Sequence, residues 1–381
     1  MPATRILTAV PICDGHDSAI NTINLEFIRH GVEVVYLGYN RSARDIVRAA
    51  LQEDAVAIGI STYNGGHVEF FEEVLDRLNQ LRLTPMIKIF GGGGGTITAE
   101  EAKIMYARGV DRIFFAGTPL AEMLGYLRAQ YREVVQQPYE RLFIGTDQYL
   151  ARELTLAERG APGSPEQIPA ATKPDCKTKV IGLTGPGGAG KTTLIDELVY
   201  RFLRSRPQNQ RVAILSHDPS MIGSGALLGD RATMIYSQDD RVFMRSLATR
   251  GQTGGLSPST HRCLDILRKS ELFDVILVET VGTGQEAIPF GSGALGGVDK
   301  AVLVVPPDYG SQLQLQKIAM IDSADAIVVN KSDLPGCKTA VAEIEYRIRA
   351  NQKGQALLRT QANRHRDTGV DQLFESFLGR E

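Results

Sequence analysis

The sequence predicts two consecutive α/β units, each with a parallel sheet. Three observations predict it. Apolar strand-like runs alternate with helical patterns from residue 5 to about 130, the alternation stops in a Pro/Gly-rich stretch, and it restarts after Lys177. In the first half, ILTAV leads to INTINLEFIRHG, then VEVVYLG, ARDIVRAALQED, AVAIGIS, HVEFFEEVLDRLNQL and IKIFGGGG. TAEEAKIMYARG, DRIFFAG and PLAEMLGYLRAQ complete it. Strand–helix–strand at this spacing requires right-handed crossovers, so the half is expected to be a flavodoxin-like, Rossmann-type domain over 1–133. ERGAPGSPEQIPAATKPDCK marks a linker, expected over 134–176 with one helix (YLARELTLAE) inside it. The second half, 177–381, repeats the alternation with KVIGLTG, RVAILSHD, FDVILVET, KAVLVVPP and DAIVVNKSD.

Composition limits the function classes. The 381 residues include 43% hydrophobic and 23% charged side chains, ordinary for a globular protein. A net charge of −2 gives no electrostatic case for nucleic acid or an anionic membrane. No apolar run approaches the length of a membrane span, and the N-terminus lacks a secretory layout. Cys13, Cys176, Cys263 and Cys337 lie far apart with no CxxC pair, so reduced thiols in a cytoplasm are expected.

The second half carries the most specific motif. GPGGAGKTT matches G-x-x-x-x-G-K-[ST] directly after a strand and before the helical TTLIDELVYRFL. Gly185, Gly187, Gly188, Ala189 and Gly190 let main-chain N–H groups turn inward around phosphates. Lys191 can reach the β/γ oxygens, Thr192 supplies a hydroxyl to Mg²⁺, and Thr193 continues the anion-binding helix start. NKSD follows another strand: Asp333 can accept from N1–H and the 2-amino group of guanine, a donor pair adenine lacks. Asn330 is expected to steady the base and Lys331 to cover its face, which makes GTP the preferred nucleotide. In VILVETVGTGQEA, Glu279 stands at a strand end as a magnesium carboxylate and Gly282 offers its N–H to the γ-phosphate. HDPSMIGSGALLGDRATM places Asp218 and Asp230 as magnesium or switch carboxylates, or as ordinary turn and cap residues. Its glycines at 223, 225 and 229 suit a nucleotide-dependent loop. Arg241, Arg245 and Arg250 read as transition-state charges or as a salt-bridged face, and Gln285 as a water-orienting residue.

In order, GPGGAGKTT, DPS…GALLGD, VFMRSLATRG, VETVGTGQ and NKSD resemble the methylmalonyl-CoA mutase-associated GTPases, G-protein chaperones of cobalamin-dependent acyl-CoA mutases. The resemblance implies GTP and GDP binding with Mg²⁺, slow hydrolysis, and gating of cofactor delivery. The loop that completes the guanine site in such proteins is expected around Thr360 to Ala362.

DGHDSAI sits at the C-terminal end of the first strand, where doubly wound sheets bind ligands. On spacing alone, His16 is either a metal ligand with Asp14 on its second nitrogen or a hydrogen-bonded core histidine. His67 reads likewise as a cofactor-edge or helix-capping residue. The first 130 residues, however, resemble the cobalamin-binding domain of acyl-CoA mutases, whose pattern is D-x-H-x-x-G, then S-x-L, then G-G. Asp14, His16, Ser61, Gly91 and Gly92 match, while Ala19 replaces the glycine and Tyr63 the leucine. The resemblance implies that His16 is the lower axial cobalt ligand of adenosylcobalamin, whose tail enters a slot near Ser61 and Gly91. DGHDSAIN…LGYNRS…ISTYNGGHVEFF…FGGGGG looks most like the fused isobutyryl-CoA mutases, where this domain precedes the chaperone domain in one polypeptide.

No segment is long enough for an acyl-CoA-binding barrel of about 250 residues. The chain is therefore expected to be either a natural small subunit fused to its own chaperone or a fragment of a longer fusion, and in both cases to load and protect the cofactor of a partner mutase large subunit. An adenosyltransferase and a second copy of the chain are further candidate partners. Two other readings are a cobalamin carrier or sensor with a GTPase switch, and a metallochaperone GTPase, which the scattered cysteines disfavour.

Overall fold

The computed structural model describes residues 4–84, 86–131, 145–160, 178–221, 224–282, 297–309, 319–352 and 354–379. Most of the expected linker, together with Gly223 and Gln285, lies outside them. The chain divides into two compact units, Met1–Arg159 with Ser220–Ala232, and Gly160–Pro219 with Thr233–Glu381.

In the first unit, β1 (Thr4–Ala9), β2 (Val32–Tyr36), β3 (Ala57–Ser61), β4 (Lys88–Gly92) and β5 (Arg112–Phe114) form a parallel sheet. The order β5-β4-β3-β1-β2 is the flavodoxin-like arrangement, with its switch point between β1 and β3. Helices α1 (Ser18–Arg29), α2 (Ala43–Gln52), α3 (His67–Gln80), α4 (Ala99–Arg108) and α5 (Leu120–Gln130) connect or follow the strands. Local sequence explains their starts. Ser42 caps α2 by accepting from the Asp45 N–H, and Thr98 and Glu101 form a reciprocal capping box on α4.

Two segments join this unit against the expected boundaries. Helix α6 (Asp147–Glu158), expected in the linker, belongs to it: Arg152 pairs with Asp54 at 3.2 Å and Asp147 accepts from Gln52 at 3.1 Å. Strand β8 (Ala226–Leu228), from the expected nucleotide-dependent loop, lies parallel to β2 as a sixth strand. Gly225 makes the approach possible, since a Cβ there would fall 1.9 Å from the Val32 carbonyl oxygen. Arg231 then anchors the segment. Fully buried, its Nε donates to Glu53 at 3.1 Å and a terminal nitrogen donates to Gln52 at 3.2 Å. Arg5 lies in the same buried charge cluster, against Glu33, Glu53 and Glu158. Burial would lower its pKa, but the three carboxylates outweigh that and hold the guanidinium charged.

The second unit is built on β6 (Lys179–Thr184), β7 (Val212–Asp218), β9 (Val242–Ala248), β10 (Val275–Glu279), β11 (Lys300–Val305), β12 (Ala326–Val329) and β13 (Ala356–Arg359). All pair in parallel in the order β13-β12-β11-β6-β10-β7-β9. Their near-continuous Val, Ile and Leu runs reflect a sheet covered on both faces. Helices α7 (Lys191–Ser205), α8 (Thr260–Lys269), α9 (Cys337–Asn351) and α10 (Thr368–Leu378) belong to this unit. Among the described residues, no helix is long and apolar enough to cross a membrane.

Candidate functional sites

In the first unit the site grows from the loop after β1. Asp14, 2% exposed, is its organising group. One carboxylate oxygen accepts from the main-chain N–H of Tyr63 at 2.6 Å and of Asn64 at 3.1 Å. The other accepts from the His16 N–H at 3.0 Å and faces His16 Nδ1 at 2.8 Å. Burial alone would raise the Asp14 pKa, but these donors more than compensate and hold it below its usual range. An ionised carboxylate only accepts, so Nδ1 carries a proton here, and in the neutral ring Nε2 is the nitrogen that holds the lone pair. The His16 side chain is 59% exposed, and that lone pair is available to a ligand. The donor chemistry fits a transition-metal centre that takes one neutral imidazole.

Beside the loop lies an apolar cavity of about 180 Å³, lined by Ala19, Phe27, Ser61, Phe90 and the main chain of Gly91–Gly94, among others. A cavity of roughly 150 Å³ accommodates benzene, so a flat apolar ring group fits. Ser61, Gly91 and Gly92 thus come together, and Ala19 brings its small side chain to the same wall. The glycines are required from behind. A Cβ on Gly91 would meet the Phe71 ring at 2.4 Å, and one on Gly92 would meet the Phe114 carbonyl at 2.7 Å. His67 is buried at the start of α3 and pairs with Glu101 of the α4 capping box at 3.3 Å.

In the second unit the 185–193 loop joins β6 to α7. Gly185, Gly188 and Gly190 all adopt positive φ, and a Cβ on Gly185 would fall 1.9 Å from the Val304 carbonyl oxygen. Lys191 Nζ folds over the loop and donates to the carbonyls of Gly185 at 3.1 Å and Pro186 at 3.3 Å. Thr192 donates its hydroxyl to Glu279 at 2.7 Å, which unites two expected magnesium residues. Thr193 occupies the same first turn of α7. Gly282 packs directly on the loop, since a Cβ there would meet Gly187 Cα at 2.4 Å. Asp218 ends β7, which neighbours β10, the strand that Glu279 ends. Asp230 opens a short turn (Asp230–Ala232) that follows β8 in the first unit.

The NKSD tetrapeptide directly follows β12. Asn330 is buried and fully engaged: Nδ2 donates to Ala189 O at 2.9 Å, while Oδ1 accepts from Thr360 Oγ1 at 2.9 Å and the Ala362 N–H at 3.1 Å. It clamps the phosphate loop to the 360–362 loop, leaving Asp333 exposed beside Lys331 in a left-handed conformation. His217 is a structural residue, buried at the end of β7, where its Nδ1 bonds the Glu279 carbonyl at 2.7 Å and its Nε2 the Thr260 hydroxyl at 2.7 Å. Of the arginines, Arg241 donates to the Leu203 and Arg206 carbonyls at the end of α7, and Arg245 is buried within β9.

The fold and sites therefore define a P-loop nucleotide-binding unit joined to a flavodoxin-like unit with a histidine poised at its switch point. Residues 150–378 match the family "Methylmalonyl Co-A mutase-associated GTPase MeaB", and residues 4–124 match the B12 binding domain. The chain belongs to the methylmalonyl-CoA mutase-associated GTPase family, with a B12-binding domain ahead of it. It is 38% identical to a fused isobutyryl-CoA mutase of Geobacillus kaustophilus over 98% of this chain and 36% of that protein. A fused isobutyryl-CoA mutase of Cupriavidus metallidurans is 36% identical over 98% of this chain and 35% of its own length. The chain thus spans about a third of the length of these curated relatives. Among solved structures, a LAO/AO transport system kinase superposes with a TM-score of 0.42 at 22% identity, covering 61% of this chain and 70% of that one.

Proposed function

We propose that the chain holds adenosylcobalamin through His16 and uses GTP binding and hydrolysis to gate loading and protection of that cofactor for a partner acyl-CoA mutase of the isobutyryl-CoA or methylmalonyl-CoA type. The observation that carries this reading is the Asp14–His16 pair, which presents an Nε2 lone pair beside an apolar cavity in a chain that also has a complete phosphate loop. Adenosylcobalamin supplies a cobalt–carbon bond for radical chemistry when bound. The chain's residues prepare for it: Asp14 keeps the His16 proton on Nδ1, and the Ser61/Gly91–Gly94 wall offers an apolar berth for the ring of the cofactor's tail.

In the second unit, Thr192, Glu279 and Asp218 would hold Mg²⁺, which supplies charge neutralisation along the phosphates. Lys191 leaves its loop carbonyls for the β/γ oxygens, and the N–H groups of 187–193 and Gly282 stabilise charge that develops on the γ-phosphate as water attacks. Asp333 accepts from the guanine edge, and Asn330 keeps the base loop and phosphate loop in one register.

The test is the absorption spectrum of the purified chain after incubation with adenosylcobalamin and gel filtration, beside His16→Ala. A retained base-off, histidine-on chromophore that the variant loses supports the reading. Failure of the wild-type chain to retain cobalamin sinks it.

A further inference from the structure

One residue of the loop after β3 touches His16 from a second side. The imidazole edge faces Asp14, while its face meets the Tyr63 ring with centroids 4.7 Å apart and planes tilted by 39°. Tyr63 also reaches Asp14 itself, because its main-chain N–H is the 2.6 Å donor to that carboxylate. The same ring rests on Gly94, where a Cβ would come within 2.7 Å of Tyr63 Cδ2. Asn64 strengthens the junction, donating from Nδ2 to the Cys13 carbonyl at 2.6 Å. Packing into a core does not explain the aromatic side chain here, for Tyr63 is 49% exposed.

A hydrogen bond at Nδ1 fixes the proton but constrains the ring plane weakly, since the second side-chain torsion of histidine is broad and roughly two-fold. A flat neighbour on the imidazole face removes that freedom. We propose that Tyr63 is a positioning residue for His16: its ring sets the plane of the imidazole, and therefore the direction of the Nε2 lone pair, before a ligand arrives. The proposal rests on the reading of His16 as the axial ligand. It also gives a physical role to the tyrosine that stands where the cobalamin-domain pattern has leucine, because leucine offers bulk without a flat face.

The experiment uses the full chain, with Tyr63→Phe, Tyr63→Leu, Tyr63→Ala and His16→Ala beside the wild type, and cob(II)alamin as the probe. Three readouts are taken: the dissociation constant, the axial nitrogen splitting in the electron paramagnetic resonance spectrum, and the His16 ring-proton shifts of the ligand-free protein. Tyr63→Phe keeps the ring and should match wild type throughout. Tyr63→Leu and Tyr63→Ala should bind about three- to tenfold more weakly, as the loss of one aromatic pair allows. They should also show a broadened or mixed nitrogen splitting and lose the ring-current displacement of His16. Wild-type affinity and splitting in Tyr63→Leu and Tyr63→Ala, with His16→Ala abolishing the splitting, would overturn the role of Tyr63 alone. A splitting that survives His16→Ala would overturn the axial reading, and the proposal with it.

Discussion

Replacing Asp14 by asparagine should disable the first site through a proton. The carboxylate accepts from the N–H groups of Tyr63, Asn64 and His16 and from His16 Nδ1. An amide has only one oxygen for this work. Leaving that oxygen with Tyr63 and Asn64 keeps the loop after β3 intact but turns the NH₂ toward His16. Nδ1 then faces a donor, so the imidazole proton moves to Nε2, the nitrogen that must stay bare. Loss of an orienting partner of this kind costs 10–100-fold in metal affinity, or about 1.4–3 kcal/mol. Nitrogen-15 chemical shifts of His16 in the ligand-free chain report the tautomer, and spectral titration with adenosylcobalamin reports the affinity. If Asp14→Asn keeps the proton on Nδ1 and binds within twofold of wild type, the tautomer argument is wrong. Acid has a related effect. A carboxylate with a lowered folded pKa stabilises above its unfolded pKa, so the loop should hold through mild acid and fail only as pH falls below the ordinary aspartate range.

Asn330→Ala leaves the Ala362 N–H, the Thr360 hydroxyl and the Ala189 carbonyl without their buried partner, so the second unit should lose about 3 kcal/mol of stability in denaturant unfolding, with nucleotide affinity falling alongside. Asp196 is pushed up to about 6 by burial, against the opposing N–H groups of Tyr236 and Ile235. The folded state therefore binds more protons than the unfolded state between pH about 4 and 6, and stability should fall by about 3 kcal/mol as pH rises through that window. Asp196→Asn should flatten this dependence, and an unchanged pH profile would refute the assignment. Arg231→Met leaves Glu53 facing Arg5 without its second cation and should destabilise the first unit by about 3–5 kcal/mol, read as an earlier unfolding midpoint.

The residues that announce chemistry by local pattern were legible. GPGGAGKTT identifies its loop because glycines, lysine and threonine must occur together between a strand and a helix, and they do, from Gly185 to Thr193 at the β6–α7 junction. The alternation of strands and helices likewise corresponds to two parallel sheets. What escaped the sequence depends on long-range partners. Nothing in ALL at 226–228 distinguishes a strand beside β2 from loop, because the deciding groups are the Val32 carbonyl against Gly225 and Glu53 against Arg231. Helix α6 was legible as a helix, but its docking rests on Asp54, Gln52 and Arg5, far away in sequence. Asn330 stood out as the first residue of NKSD, whereas its work as a clamp required knowing where Ala189, Thr360 and Ala362 lie.

The sixth strand has a consequence for anyone who would take the molecule apart. A fragment ending at Arg159 would contain every residue of the histidine site and still be an incomplete sheet. Its β2 would present bare main-chain donors and acceptors to solvent, and the buried Glu53 would lack the cation that Arg231 brings from beyond the cut. An open, apolar sheet edge is a template for other chains. Such a fragment should self-associate, and supplying residues 220–232 as a separate peptide should suppress that aggregation by capping the edge. The same geometry makes a cut at the linker a poor guide to what either half does.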